Sequence, residues 1–277
     1  MIASPVPRAT LLHVVKTLPS APQILARIGQ LMLSMDAEID DITSLIKRDP
    51  ALTARIIRIA NSAAYNTGAP FASLEDALAR VGLTEVYRLT GFAAIAQVSD
   101  QSLIRYRISG AQVRENSLLT ALIMEALAHT AGADPRAAYT AGLLRSIGKI
   151  ALDRLTRDPA YDGGNGPRGA LAEWEAGFMG LNNCEAAAII LEEWRFPEST
   201  LFAIRDHYAP PAEDLIATLL NLSAGAAARC GHGLPGEDVY WVPSAEKFTA
   251  AGLSQQQVDD AMRLGLERFG PVRAALG

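Results

Sequence analysis

The sequence predicts an all-α protein, and three observations carry that reading. Apolar residues recur at spacings of three and four along most of the chain. Helix-start signals, in which Ser, Thr, Asp or Asn precedes Pro or a Glu/Gln three residues on, recur between these stripes. The first half shows no sustained two-residue alternation with hairpin turns. Aromatics are only 6% of a chain that is 49% hydrophobic, so Ala, Leu and Ile must fill the interior, and these suit close helix packing.

Ser20, Pro22 and Gln23 read as an N-cap, an early helical proline and a capping-box partner. They open a helix whose stripe is Ile24, Leu25, Ile28, Leu31 and Met32. DDITSLIKR, residues 40–48, is a short amphipathic helix with Ile42, Leu45 and Ile46 inward. Asp49 and Pro50 close it and cap the next, on which Leu52, Ile56, Ile59, Ala60 and Ala63 share a face. SLED, residues 73–76, leads Leu74, Ala77, Leu78 and Val81 into a helix that stops at Gly82. Thr84 caps a longer helix through Val86, Leu89, Ala93 and Ala96.

The periodicity weakens over SDQSLIRYRISG, residues 99–110, where a subdomain boundary is placed. A long helix then runs from near Gln112 to Thr130 and ends at Gly132, and Asp134 with Pro135 opens the next, which carries AAYTAGLLRSIGK. DGGNGPRG, residues 162–169, is a loop. Asn182 with Glu185 starts a helix to Trp194, Pro197 one to about His207, and an Ala-rich helix after Pro211 reaches Arg229. GHGLPGED, residues 231–238, is a second loop, and Ser254 with Gln257 caps a final helix stapled by Leu253 and Val258.

Composition excludes several classes of function. A net charge of −5 argues against general nucleic-acid binding, which needs a basic surplus on one face. Lys47, Arg48, Arg55, Arg58, Arg80 and Arg88 are interleaved with Asp40, Asp41, Asp49, Glu75, Asp76 and Glu85, the pattern of a solvated mixed-charge face. Asn61, Ser62 and Tyr65 fit helix capping and packing better than partner contact. Cys184 and Cys230 lie far apart with no C-x-x-C pair, which suits a reducing cytosol. No apolar run is long enough for a signal-peptide core or a membrane span, so a cytoplasmic protein without membrane partners is expected. No two of His13, His129, His207 and His232 are four residues apart, and Ser146 lacks a G-x-S-x-G elbow, so neither a metal cofactor nor a covalent nucleophile is expected.

Three ordered motifs, LPSAPQIL (18–25), IKRDPALTARIIRIANSAAYN (46–66) and ASLEDALARVGLTEVYRL (72–89), resemble the N-terminal half of an HDOD domain, the HD-related output domain of bacterial signalling proteins. AGLLRSIGKIAL (141–152), GLNNCEAAAIILEEWRFP (180–197) and AIRDHYAP (203–210) resemble its second half. The resemblance implies an N-terminal helical bundle over residues 11–108, packed on a degenerate HD-like bundle over 109–230, with a helical tail over 231–277. It further implies a non-catalytic signalling module whose protein partner belongs to a cyclic-di-nucleotide or two-component pathway.

In the catalytic HD relatives, histidines and aspartates hold metal. By the resemblance, the first ligand position falls near Asn116, the His-Asp pair on Arg145 and Ser146, the helix-start histidine on Asn183, and the later aspartate at or near Ala224. His207 matches a family histidine, with Tyr208 where a second is common. A guanidinium in place of a ligand repels a cation as well as failing to coordinate it.

Arg145 and Lys149, four residues apart, would repel one another unless a carboxylate or an external anion lay between them. Two readings stand. One is an internal salt bridge, with Glu185 or Asp206 as candidates. The other is a small anionic ligand, such as a nucleotide, held in the vacated cleft by Asn116, Arg145, Lys149, Asn183 and His207.

Overall fold

The computed structural model describes residues 6–33, 39–62, 65–66, 68–156 and 169–276. Ala63 and all but the last residue of the 162–169 loop lie outside the described residues. Among them the chain is helical, with one isolated antiparallel bridge between Leu103 and Ile108 in the segment where the periodicity weakened. Contacts group the chain into two compact units, residues 1–18 with 99–266 and residues 19–98 with 267–277. The first group holds residues 11–18, 99–108 and most of the 231–277 tail together with residues 109–230.

In the second unit, α2 (Ala21–Leu31), α4 (Pro50–Ala60) and α5 (Leu74–Val81) pack on α6 (Leu83–Val98), and α3 (Ile39–Ile46) packs on α2, α4 and α5. α6 is buried nearly all round, from Val86 to Val98, as a helix enclosed by others must be. The Asp49 carboxylate caps α4 by accepting from the Leu52 N–H, and Ser73 caps α5 by accepting from Asp76. Gly82 ends α5 at φ +85°, a conformation L side chains rarely adopt.

Two start signals act differently. Ser20 sits at the α2 N-terminus with helical dihedrals and makes no side-chain cap, and α6 starts one residue before Thr84. Asn61 ends α4, and its amide pairs with both the N–H and the C=O of Phe71. Lys47 pairs with Glu75 and Arg88 with Glu85, so part of the mixed-charge face neutralises itself.

The first unit is built on α7 (Gly110–Ala131), a helix buried along most of its length and capped by a Ser109–Gln112 box and Gly132. α8 (Pro135–Leu144) and α13 (Leu215–Ala227) flank α7, while α9 (Ile147–Leu155) packs on α11 (Asn183–Glu193), beside α12 (Glu198–Asp206). The helix expected to run unbroken through AAYTAGLLRSIGK is interrupted at Arg145 and Ser146, giving α8 and α9. Three helices carried no start signal strong enough to expect: α1 (Arg8–Val15), α10 (Leu171–Met179) and α14 (Ala245–Ala251). α15 (Gln255–Leu276) begins with the Ser254–Gln257 pairing the sequence shows.

Glycine sets the closest approach. A Cβ on Gly148 would lie 1.8 Å from the Asn183 carbonyl oxygen, so only glycine lets α9 press its backbone onto the start of α11. The carbonyl belongs to backbone and cannot swing aside. Gly148→Ala should therefore lower the unfolding free energy by about 1–3 kcal/mol, read as a lower urea midpoint with an unchanged slope.

Candidate functional site

Five residues were expected to meet in the HD-like cleft, and all five are fully buried: Asn116, Arg145, Lys149, Asn183 and His207. Asn116 comes from α7, Arg145 from the end of α8, Lys149 from α9 and Asn183 from the start of α11. His207 directly follows α12. The break at Ser146 means that Arg145 and Lys149 do not share one continuous helix, yet both cations reach the same carboxylate.

That carboxylate is Glu237. Arg145 Nη1 donates to its Oε1 at 3.0 Å and Nη2 to its Oε2 at 2.8 Å, a bidentate pair. Lys149 Nζ lies 2.6 Å from Oε1, and the Tyr208 hydroxyl donates to the same oxygen at 2.9 Å. Neither expected partner is involved. Glu185 caps α11 by accepting from the Asn182 N–H, and Asp206 pairs with its neighbour Arg205. Glu237 escaped the sequence reading because GHGLPGED has no periodicity and was assigned to a tail; the basic pair shows that a carboxylate is needed but not which one.

Both amides extend the cluster. Arg145 Nη2 also donates to Asn116 Oδ1 at 2.7 Å, while Asn116 Nδ2 donates to the His232 carbonyl at 2.6 Å, tying α7 to the segment that delivers Glu237. Lys149 donates to Asn183 Oδ1 at 2.9 Å. Asn183 in turn donates through its backbone N–H and Nδ2 to Glu175 Oε2 at 2.7 and 2.8 Å, and the Tyr106 hydroxyl donates to Glu175 Oε1 at 2.6 Å. Glu175, Tyr106 and Tyr208 thus join the site; only Tyr208 stood out in sequence, as a departure from the family histidine. Ala224 is buried on α13, but the residue of that helix tied to this region is Asn221, one turn earlier, which donates to the His207 and Tyr240 carbonyls.

Electrostatics follow from burial and pairing. Burial alone would raise the Glu237 pKa, but Arg145 and Lys149 outweigh it and hold the carboxyl well below the usual range. Burial would lower the Arg145 pKa, and Glu237 more than restores it. Glu175 is different: burial pushes its carboxyl above the ordinary value despite Lys149, Tyr106 and Asn183. Tyr208 is held far above its ordinary value by burial and Glu237, so it remains a phenol donor.

His207 stands beside the cluster, with its ring 4.5 Å from that of Tyr208. Its Nδ1 lies 2.7 Å from the Ile204 carbonyl, which can only accept, so Nδ1 carries the proton. Burial and the Arg145 charge push its pKa down to about 3. Cys184 Sγ is 3.7 Å from Nδ1, a proximity the sequence did not reveal, but burial raises the thiol far above its usual value. The pair therefore does not form a thiolate and an imidazolium.

A divalent cation does not fit these donors. Arg145 and Lys149 already bring two positive charges, the Glu237 carboxylate is saturated by Arg145, Lys149 and Tyr208, and the Asn116 and Asn183 side chains beside them are amides. Among the described residues no group of three His, Cys, Asp or Glu gathers at metal-binding distance.

The all-helical architecture is HD-like. Its family follows from the sequence match: the HDOD domain profile covers residues 18–210, and the chain belongs to the HDOD family. An HDOD domain protein of unknown function from Geobacter sulfurreducens is similar over 97% of both chains at 20% identity, with a TM-score of 0.68. A protein from Shewanella amazonensis SB2B, provisionally designated a phosphohydrolase, is 21% identical over 96% of this chain and 98% of its own, with a TM-score of 0.67. One from Marinobacter aquaeolei VT8, provisionally designated a signal transduction protein, is 20% identical over 98% of this chain and 65% of its own, also at 0.67. An uncharacterized protein of Treponema pallidum is 25% identical over 207 residues, which span 70% of this chain and 38% of that protein.

Two consequences are measurable. Arg145→Met leaves buried Glu237 with Lys149 as its one remaining cation in direct contact and should cost about 3–5 kcal/mol of stability, checked by urea unfolding at neutral pH. The unfolded imidazole of His207 takes a proton near pH 6.5, which the folded one holds off until about 3. The unfolded state then binds more protons across that window, so stability is full above pH 6.5 and falls as pH drops towards 3, by up to about 1.4 kcal/mol per unit. His207→Gln should flatten that slope in unfolding curves recorded between pH 4 and 7.

Proposed function

We propose that this protein is a non-catalytic bacterial signal-transduction module, working in the cytoplasm through contact with another protein. The observation that carries the reading is the buried Glu237 carboxylate clasped by Arg145 and Lys149 where HD enzymes hold metal. Hydrolysis on that scaffold needs a cation to activate water and to neutralise a phosphoryl oxygen. Here fixed cations and amides line the place, and an internal carboxylate already lies between the two cations.

Family membership and the provisional designation of the Marinobacter relative both support a regulatory role. The Shewanella relative's designation as a phosphohydrolase belongs to that chain, and the donors at positions 116, 145 and 183 here argue against the same chemistry. The proposed partner is a member of a cyclic-di-nucleotide or two-component pathway. No nucleic acid is involved, given the net charge of −5 and the paired surface cations Lys47 and Arg88. No membrane anchor is invoked, and among the described residues no helix is long and apolar enough to cross a membrane.

The test has two arms. Purified protein supplied with manganese or iron should bind no stoichiometric metal and should not hydrolyse bis(4-nitrophenyl) phosphate above the blank; metal at one equivalent together with turnover would overturn the reading. In parallel, cross-linking in a bacterial lysate should recover a reproducible protein partner, and repeated recovery of none would count against a docking role.

A further inference from the structure

Segment 235–240 delivers Glu237 and ends in a short 3-10 turn, Asp238–Tyr240. It hangs between two buried anchors, Leu234 and Trp241. Within it Pro235, Asp238 and Val239 are exposed, Gly236 and Tyr240 are half-buried, and Glu237 alone is fully buried. Gly231 and Gly236 hold φ of +82° and +80°, so the chain enters and crosses the segment through conformations natural only to glycine. Beyond the ion pairs, its ties gather at its two ends: the Leu171 N–H donates to the Gly236 carbonyl at 3.0 Å, while Tyr240 stacks on Tyr208 at 4.0 Å, accepts at its hydroxyl from the Ala172 N–H at 2.9 Å and accepts at its carbonyl from Asn221 Nδ2 at 3.1 Å and Lys247 Nζ at 3.0 Å.

Space and charge both bear on what this segment does. A cavity of about 290 Å³ adjoins it, lined by Asp238 and Trp241 together with Asn221, Arg229 and Phe248. On the inner side two fixed cations share one carboxylate in direct contact, while Glu175 lies a layer away behind Asn183. Arg145 Nε is buried and makes no hydrogen bond with the protein. The donors therefore match a doubly charged anion with more oxygens better than they match one carboxylate.

We propose that Arg145 and Lys149 form an oxyanion site, that Glu237 is its internal occupant, and that a dianionic oxyanion of the phosphate class displaces Glu237 by lifting segment 235–240. The inference rests on the reading of the cleft as non-catalytic and adds to it a ligand class and a switchable surface. Displacement would bare Tyr208 and move Asp238 and Val239, changing the face a partner meets. The shift in population depends on the difference in affinity between the closed and lifted states.

Hydrogen exchange at the amides of 236–240 in the wild-type protein tests this directly. Inorganic phosphate, and separately glycerol phosphate, is compared with chloride at matched ionic strength. Saturable, phosphate-specific acceleration is expected. Response to both phosphates would mark the phosphoryl group itself as the ligand, and response to one alone would name its source. Exchange that ignores phosphate, or that follows chloride equally, overturns the proposal.

The Glu237→Gln variant adds a second readout. With the competing charge removed, phosphate should bind by calorimetry roughly tenfold tighter or more than to wild type, and should recover the lost melting temperature. A folded variant that binds phosphate no better than wild type also overturns the proposal; if the variant does not fold, the wild-type exchange decides. Because every readout is binding or exposure, a negative result here leaves the turnover and partner tests standing on their own.

Discussion

The interaction on which the HD-like unit depends is the buried contact of one carboxylate with two cations. Arg145, Lys149 and Glu237 are each completely removed from water, and the desolvation of such ions costs several kcal/mol apiece. The cluster persists because almost every charged atom has a partner: a bidentate guanidinium, a phenol, and two amides that pass the network on to Glu175 and His232. Remove one member and the others are stranded in a medium that cannot solvate them. The network ties α7, α8, α9 and α11 to one another through hydrogen bonds whose favourable energy is largely offset by desolvation.

Around that centre the helices approach closely because small residues allow it. Gly148 lets α9 lie on the Asn183 carbonyl, and Gly142 brings α8 against α7, where a Cβ would lie 2.7 Å from Ala121 Cα. These contacts bring Arg145 and Lys149 towards Asn116 and Asn183. Close packing excludes water, and exclusion of water strengthens the charge pairing and keeps His207 neutral. Packing and electrostatics support each other, and the centre of the HD-like unit is a closed polar core.

Much of the fold was legible along the chain. Asp49, Ser73, Asp134, Asn182 and Ser254 mark helix starts that the structure realises, because capping is a local competition for a few backbone N–H groups. Where a signal failed, as at Ser20, the proline and apolar stripe sufficed to begin the helix without the side-chain bond. The break at Arg145 and Ser146 was not legible, since no glycine or proline stands there; it lies amid the buried contacts of α7, α9 and α11. The convergence of Asn116, Arg145, Lys149 and Asn183 was legible only through the family resemblance, which supplies distances between helices that periodicity cannot.

By itself the sequence determined the helical class, most helix starts, and the need for an anion between Arg145 and Lys149. Those are properties of residue type and of spacing within a turn or two. Tertiary structure alone decided that the anion is Glu237, 92 residues from Arg145, that Glu175 and Tyr106 back the opposite side, and that Cys184 meets His207. Such pairings depend on how separate helices cross and where a non-periodic segment is anchored. A carboxylate in a glycine-rich loop shows no mark of the partner it will reach.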